Sequence, residues 1–280
     1  MRNNFETIVK QALAEDIGSG DHSSLASIDP TIQGQMKLLV KEPGILCGID
    51  LAREVIRQVD PQISMETYFS DGDTIAVGDI VFMLKGAARN MLTAERTLLN
   101  FMQLMSGIAT NTRQYVDAIS GTGAVILDTR KTTPGLRFVE KYAVSVGGAQ
   151  NHRFGLFDMI MLKDNHIDFA GSIEKAIDKT RDYLKRNNLQ LQIEIETRSL
   201  EEVQRVLTHG GVDRIMLDNF TPERMKEAIQ LINKRVETEA SGGITLKNVR
   251  EYAETGVDFI SIGALTHQIK SIDLSLKFIQ

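Results

Sequence analysis

From about residue 120 onward the sequence repeats one unit. A short apolar run is followed by a polar cluster and then by a helical stretch. The runs occupy residues 124–127, 159–162, 192–195, 214–217 and 259–262, with a weaker sixth at 236–240. The helical stretches between them cover residues 172–185, 200–208, 222–234 and 246–254. Strands joined by helices must run parallel, because the crossover returns the chain to the same end of the sheet. Runs that are apolar on both faces are those of a sheet covered on both sides. The residues ending these runs are Asp128, Lys163, Glu196, Asp218, Ser241-Gly242-Gly243 and Gly263. An open doubly wound sheet would use only the groups at one crevice. Polar and glycine endings on nearly every strand instead converge at the mouth of an α/β barrel, where such folds place their chemistry. The expectation is α/β, with an open α/β barrel over residues 111–267.

Residues 1–110 have a different rhythm and read as an N-terminal α+β sandwich. Phe5, Ile8, Val9 and Leu13 lie at helical spacing. The runs 35–40 and 74–84 alternate or are β-branched, and Pro43-Gly44, Asp71-Gly72 and Gly78-Asp79 break them. Residues 51–59 read as a short helix, and 92–119 as a long one with Thr93 as its N-cap and Gly107 as a point of kinking. Residues 268–280 are expected to form a terminal helix that packs on this first domain.

Composition excludes several classes. The net charge of -5 over 280 residues lacks the basic footprint of a nucleic-acid binder. No window is apolar for long enough to cross a membrane. The N-terminal stretch carries no run of signal-peptide type, so a cytoplasmic protein is expected. Cys47 is the only cysteine, which excludes an intramolecular disulfide and reads as a small core residue.

An acidic chain that gathers cations locally has a local use for them. Arg130, Lys131, Arg137, Lys141, His152, Arg153 and Lys163 fall within one short region, several of them in glycine-containing loops or at strand ends. Arginine offers a planar fork that suits carboxylate or phosphate, and lysine a compact point charge. The Ser241-Gly242-Gly243 turn and the later Gly263 turn each feed a helix start, the arrangement that binds phosphate in many barrels. Glu196 and Asp218 end adjacent strands, and Glu239 is a candidate to join them. Such carboxylates can serve as acid and base or hold a hard cation. Beside a phosphate site, Mg²⁺ bound together with a polyphosphate is the better reading. Glu194, two residues before Glu196, faces the barrel interior with no assigned role. These parts suit the breaking of a C–O bond to pyrophosphate, with a carboxylate-bearing acceptor held in the cationic pocket.

At these residues the chain resembles the quinolinate phosphoribosyltransferase family. The motifs run in order: ALAEDIGSGDHSS (12–24), GILCGID (44–50), AERTLLNFMQLMSGIAT (94–110), DTRKTTPGLR (128–137), GGAQNHRFGLFDMIMLKDNHI (147–167), IEIET (193–197), MLDNF (216–220), EASGGI (239–244) and ISIGALTH (260–267). The resemblance implies transfer of phosphoribosyl from phosphoribosyl pyrophosphate to quinolinate with Mg²⁺, yielding nicotinate mononucleotide, pyrophosphate and CO₂. It also implies a homodimer, with a higher oligomer open, whose active sites are shared. Arg96 would then reach the partner's quinolinate. The dicarboxylate pocket would comprise Arg96, Arg130, His152 and Arg153. Lys131 and Lys163 would lie between the substrates, and Glu196 and Asp218 would hold ribose and metal. Ser241, Gly242, Gly243, Gly263 and His267 would cradle the 5′-phosphate, and Thr129 and Ser261 would also bind substrate. The competing expectations are a homologue with another acceptor, a different phosphate-binding barrel enzyme, and a non-catalytic ligand-sensing barrel.

Overall fold

The computed structural model describes residues 2–267 and 269–279, with side chains from Phe5 onward. In chain order the first elements are α1 (Arg2–Ile17), α2 (His22–Ser27), β1 (Gln33–Val40), β2 (Gly44–Ile45), α3 (Ile49–Val59), β3 (Ser64–Thr67), β4 (Thr74–Ile75), β5 (Ile80–Ala87) and α4 (Ala88–Ala118). Then follow β6 (Val125–Leu127), α5 (Arg137–Val146), β7 (Ile160–Leu162), α6 (Asp164–Ala170), α7 (Ile173–Asn187), β8 (Ile193–Thr197), α8 (Leu200–His209) and β9 (Arg214–Asp218). The last are α9 (Pro222–Ile232), β10 (Glu237–Ser241), α10 (Val249–Ala253), β11 (Phe259–Ser261), α11 (Ala264–His267) and β12 (Leu274–Ile279). Contacts divide the chain into two compact units. One comprises residues 1–113, 132–148 and 265–280, the other residues 114–131 and 149–264.

In the first unit an antiparallel sheet runs in the order β12-β1-β5-β3. Alternation sets its faces: Met36, Leu38 and Val40 of β1 are buried and the residues between them are less so. Phe5, Val9 and Leu13 put the buried stripe of α1 into this unit's core, where Phe5 meets Phe138 and Tyr142 edge-on at 5.3 and 5.6 Å. Cys47 is fully buried, as a small core residue should be. The start of α3 lacks a side-chain cap of its own. Asp71 supplies one from a distant turn, accepting the Gly48 and Ile49 amides at 2.9 and 3.0 Å, while its other oxygen takes the Tyr142 hydroxyl at 2.8 Å.

Two expectations are corrected here, and Gly107 is given a packing role. The C-terminal segment is no helix. Of residues 268–280, 268 and 280 lie outside the described residues, and 274–279 form β12, antiparallel to β1. Leu274 and Leu276 are buried with Ser275 between them, a period of two that a helix cannot satisfy. The long helix begins at Ala88, directly after β5, so Thr93 is inside it rather than capping it. The Ala88 amide is already satisfied by Ile32 O at 3.0 Å, and Thr93 turns its hydroxyl back to Arg89 O. Gly107 does not break α4. A Cβ there would lie 2.5 Å from Lys270 O and 3.1 Å from Ser271 Cα, so glycine permits a close backbone crossing.

The second unit carries six parallel strands in the order β6-β11-β10-β9-β8-β7. All six match expected runs, including the weak one at β10. A parallel bridge from Leu127 to Gln150 extends the array past β6, so the segment leading to His152 lies alongside that strand. Ile195, Ile215, Leu217, Ala240 and Ile260 are completely buried, each large aliphatic one contributing about 1.5–3 kcal/mol. Helix starts are capped as the sequence allows: Ser172, Ser199 and Thr221 accept the Lys175, Glu202 and Arg224 amides. Among the described residues, no helix is long and apolar enough to cross a membrane.

Candidate active site

The barrel strands present polar groups in layers. On β8 the sequence IEIET alternates, so Glu194 and Glu196 share a face, one deeper than the other. On β9 Arg214, Met216 and Asp218 share a face by the same rule, and on β10 Glu237, Glu239 and Ser241 do so. Glu196 and Asp218 occupy the strand ends. Glu194, Arg214 and Glu239 lie below them.

At the mouth, Lys163 follows β7 and its Nζ stands 3.7 Å from Glu196 Oε2. Burial first, and then the Asp218 charge, push the Glu196 carboxyl above its ordinary range. Burial also raises Asp218, against the opposing effects of a hydrogen bond from Asn219 and the charges of Lys163 and Lys131. Two neighbouring carboxylates that one lysine at 3.7 Å compensates incompletely form a site in want of positive charge.

The turn after β9 faces the turn after β10. Asn219 sits in the left-handed region at φ 56, and its amide donates to Ser241 O at 2.8 Å. Gly242 and Gly243 have φ 97 and 63, and a Cβ on Gly242 would collide with the Asn219 side chain and approach its amide at 2.9 Å. The Thr245 amide and hydroxyl both bond Asn248 Oδ1 and close this loop before α10. Gly263 and Ala264 follow β11, and His267 ends α11 exposed. Ser261 is buried. From the last position of β11 its hydroxyl reaches Ala240 O at 3.4 Å and hydrogen-bonds Glu239.

The cationic residues separate into distinct positions. Thr129 accepts the Lys131 amide at 3.0 Å and shapes the loop after β6, with Lys131 exposed. Arg153 is half-buried and its Nη1 donates to Met159 O at 3.0 Å. Burial, and then the charge of Arg130 beside it, lower the Arg153 pKa. The Arg130 Nε is buried with no hydrogen-bond partner. Two interacting like charges, one with an unpaired buried donor, are chemically suited to an anion. In the first unit, Arg96 is exposed on α4 and Arg137 donates to Thr132 Oγ1 at 3.0 Å. Lys141 is buried there within α5, beside Glu140, whose Oε2 takes the Thr133 amide at 3.1 Å.

His152 turns inward from the segment alongside the end of β6. It is 8% exposed, and its Nε2 lies 3.0 Å from Glu194 Oε2 and 3.3 Å from Glu239 Oε2. Glu239 therefore joins His152 and Glu194 and not the Glu196–Asp218 pair. Arg214 completes the group, with Nη1 3.0 Å from Glu239 Oε2 and its guanidinium 4.0 Å from the Phe259 ring. The three ligand atoms of His152, Glu194 and Glu239 fall within 4.8 Å of one another, a spacing that could accept a cation. Arg214 already supplies positive charge at that point, so the cluster is balanced without a metal. Burial opposes charge on the ring, but the hydrogen bonds to Glu194 and Glu239 outweigh it and raise the His152 pKa to about 9. Nδ1 accepts the Arg153 amide, so the ring proton lies on Nε2, and the further proton is shared with the Glu194 carboxyl, which burial and the Glu239 charge raise.

Residue-by-residue reading missed Arg214 and Asn219. The signal for Arg214 was the period of two that joins it to Asp218. The signal for Asn219 was its residue type, since asparagine tolerates the left-handed conformation that this tight strand-to-helix turn requires.

A family model described as the quinolinate phosphoribosyl transferase C-terminal domain matches residues 108–277, and its N-terminal counterpart matches residues 21–106. Quinolinate phosphoribosyltransferase (decarboxylating) 2b, mitochondrial, of Nicotiana tabacum is 46% identical over 288 residues, covering 98% of this chain and 82% of that one. The probable nicotinate-nucleotide pyrophosphorylase (carboxylating) of Synechocystis sp. is 42% identical, covering 97% of this chain and 92% of that protein. Among solved structures, the nicotinate-nucleotide pyrophosphorylase of Francisella tularensis superposes with a TM-score of 0.94 at 41% identity, covering 100% of this chain and 97% of that one. With both of its domains matched in order along nearly its whole length, the chain belongs to the quinolinate phosphoribosyl transferase family.

Proposed function

We propose that this chain transfers phosphoribosyl from phosphoribosyl pyrophosphate to quinolinate with loss of CO₂, giving nicotinate mononucleotide and pyrophosphate, a step of de novo NAD biosynthesis. The observation that carries the reading is the pair Arg130 and Arg153. The Arg130 charge acts on Arg153, and Arg130 has a buried donor unpaired. An acceptor with two adjacent carboxylates relieves both the repulsion and the missing hydrogen bond.

In this reading Arg130, Thr129 and Arg153 take the dicarboxylate, and Arg96 of a second copy completes the pocket in a homodimer. Lys131 and Lys163 lie between the acceptor and the phosphates. The turns at Ser241, Gly242 and Gly243 and at Gly263, with His267, receive the 5′-phosphate through backbone amides. Glu196 and Asp218, raised by burial, suit both the ribose and Mg²⁺, which when bound supplies positive charge to the departing pyrophosphate.

The acceptor's ring nitrogen attacks ribose C1 as the C–O bond to pyrophosphate breaks. Glu196 and Asp218 face the positive charge that develops on the sugar. The quaternised nitrogen then draws the electron pair of the adjacent C–C bond onto the ring as CO₂ leaves. The carbanion beside that nitrogen takes a proton from solvent. Arg130 and Arg153 hold the ring in register with C1 through both steps.

The test is turnover with quinolinate, phosphoribosyl pyrophosphate and Mg²⁺, with nicotinate as a parallel acceptor. Nicotinate mononucleotide from quinolinate alone is the expected result. Product from nicotinate, or from neither, would remove the dicarboxylate reading.

A further inference from the structure

We propose that Glu194 and Glu239 are positioning residues for the acceptor pocket: they hold the His152 ring inside the barrel and so fix the backbone that presents Arg153. The inference rests on the dicarboxylate reading of Arg130 and Arg153 above and extends it to a layer that does not touch substrate.

Position 152 is held from every side. The His152 amide donates to Asp128 Oδ1 at 2.8 Å, inside the barrel wall at the end of β6. Its Nδ1 accepts the Arg153 amide at 2.6 Å. Its Nε2 faces Glu194 Oε2 and Glu239 Oε2 at 3.0 and 3.3 Å. Both ring nitrogens are thus engaged, one by the barrel interior and one by the main chain of the residue that follows. The ring links the two. Moving it away from the carboxylates moves the Arg153 amide with it.

The Arg153 guanidinium is held by its Nη1 bond to Met159 O and by the charges of Glu194 and Asp158, which oppose the repulsion of Arg130. Glu194→Gln, which removes the charge and keeps the ring acceptor, separates the direct charge effect from the positioning one. The placement of the Arg153 Cα also decides where the fork points. The carboxylates that set this placement are themselves rigid. Glu194 and Glu239 are fully buried on β8 and β10, and Arg214 between them on β9 fixes Glu239 at 3.0 Å. The contacts through the Oε2 atoms tie the two carboxylates to the ring and to Arg214, while Glu194 Oε1 and Glu239 Oε1 are buried without a hydrogen-bond partner. A pair of carboxylates, a histidine and an arginine are costly to bury, and an apolar layer would stabilise a barrel at least as well. Their geometric role beneath Arg153 gives a reason for that cost.

The test uses full-length protein and three variants. In Glu194→Gln the amide oxygen still accepts from the ring. In Glu194→Leu the volume is kept and the acceptor is lost. Glu237→Gln removes a partner of Arg214 that does not touch His152. Quinolinate affinity is read by calorimetry without phosphoribosyl pyrophosphate, and the KM of each substrate is read separately. The expected result for Glu194→Leu is a quinolinate Kd and KM raised on the order of 10-fold, as for loss of one hydrogen bond to a charged group. The KM for phosphoribosyl pyrophosphate stays within about twofold, Glu194→Gln restores most of the quinolinate affinity, and Glu237→Gln changes neither. A structural role alone would shift both substrates together or lower the folded fraction, and that result overturns the proposal. If Glu194→Leu fails to fold, Glu194→Met, which also lacks the acceptor but packs more adaptably, is compared with wild type. Unchanged quinolinate affinity in that variant, with the ring acceptor removed, likewise overturns it. Wild-type protein that does not bind quinolinate overturns the acceptor reading itself, an outcome separate from a wild type that binds and a Glu194→Leu variant that binds equally well.

Discussion

At the scale of single residues, two kinds of imbalance define the site. Arg130 and Arg153 concentrate positive charge, and Glu196 and Asp218 concentrate negative charge. Each pair is left partly uncompensated; in the proposed function the carboxylates of quinolinate face the first, and Mg²⁺ and the ribose face the second. Replacing Arg130 by alanine should raise the quinolinate Kd by about 10–100-fold, the worth of a lost charge-assisted hydrogen bond, while phosphoribosyl pyrophosphate affinity changes about twofold at most. Calorimetric titration of the two ligands separately measures this, and equal losses for both would place Arg130 on the phosphate side. The carboxylates carry a cost in the free protein. A carboxyl whose pKa is raised in the fold holds its proton more tightly there than in the unfolded chain. Its contribution to stability therefore falls as pH rises from its ordinary value of 4.5 through the raised one. Glu196→Gln, inactive or nearly so, should melt roughly 1–3 °C above wild type at pH 7, given the 2–4 °C that ~1 kcal/mol moves a chain of this size. The difference should fade below about pH 4, where both proteins carry a neutral group. A melting temperature at or below that of wild type at pH 7 would mean that Lys163 already compensates the charge.

At the scale of elements, the strands were legible because each is a short apolar run bounded by polar residues, and parallel strands buried on both faces have to look like that. The endings that proved to crowd the mouth, Glu196 and Asp218 among them, were legible for the same reason. The helices α5 and α6 were not. The first follows a proline-glycine turn and buries Glu140 and Lys141 on its inner side, so its charge pattern contradicts its burial pattern. β12 was misread as helix because it is six residues long and the β1 edge it pairs with lies more than two hundred positions away. Gly107 illustrates how neighbours reverse a local rule. Glycine to alanine in an open helix gains up to ~1 kcal/mol. At Gly107 the new methyl meets the backbone of residues 270–271, which cannot rotate aside as a side chain would. Overpacking of this kind costs about 1–3 kcal/mol. Gly107→Ala should therefore lower the melting temperature by about 2–8 °C, and a rise would show that the crossing segment yields readily.

At the scale of the whole molecule, the reading that Arg96 serves a second copy's pocket makes activity a property of a pair of chains. Arg96→Ala and Asp218→Asn should each be nearly inactive alone. Mixed in equal amounts by co-refolding, they should recover about a quarter of wild-type activity, since half of randomly paired dimers are mixed and each mixed dimer rebuilds one of its two sites. Activity in the mixture no higher than in the separate variants would show that each site is complete within one chain.

The order of strands, the polar residues at their ends, the excess of cations near residues 128–163 and the glycines of the late turns follow from the sequence alone. Period and turn chemistry are local, and local patterns can be read without knowing what they pack against. The tertiary structure decided which of those groups meet. It turned His152 inward to Glu194 and Glu239, and it set Arg214 against Glu239. Glu239 joined that buried cluster instead of the Glu196–Asp218 pair, and the C-terminal residues closed a sheet begun at β1. These are contacts between residues far apart in sequence. Their partners are chosen by strand register and by the need to neutralise charge once water is excluded, and both exist only after the chain has folded.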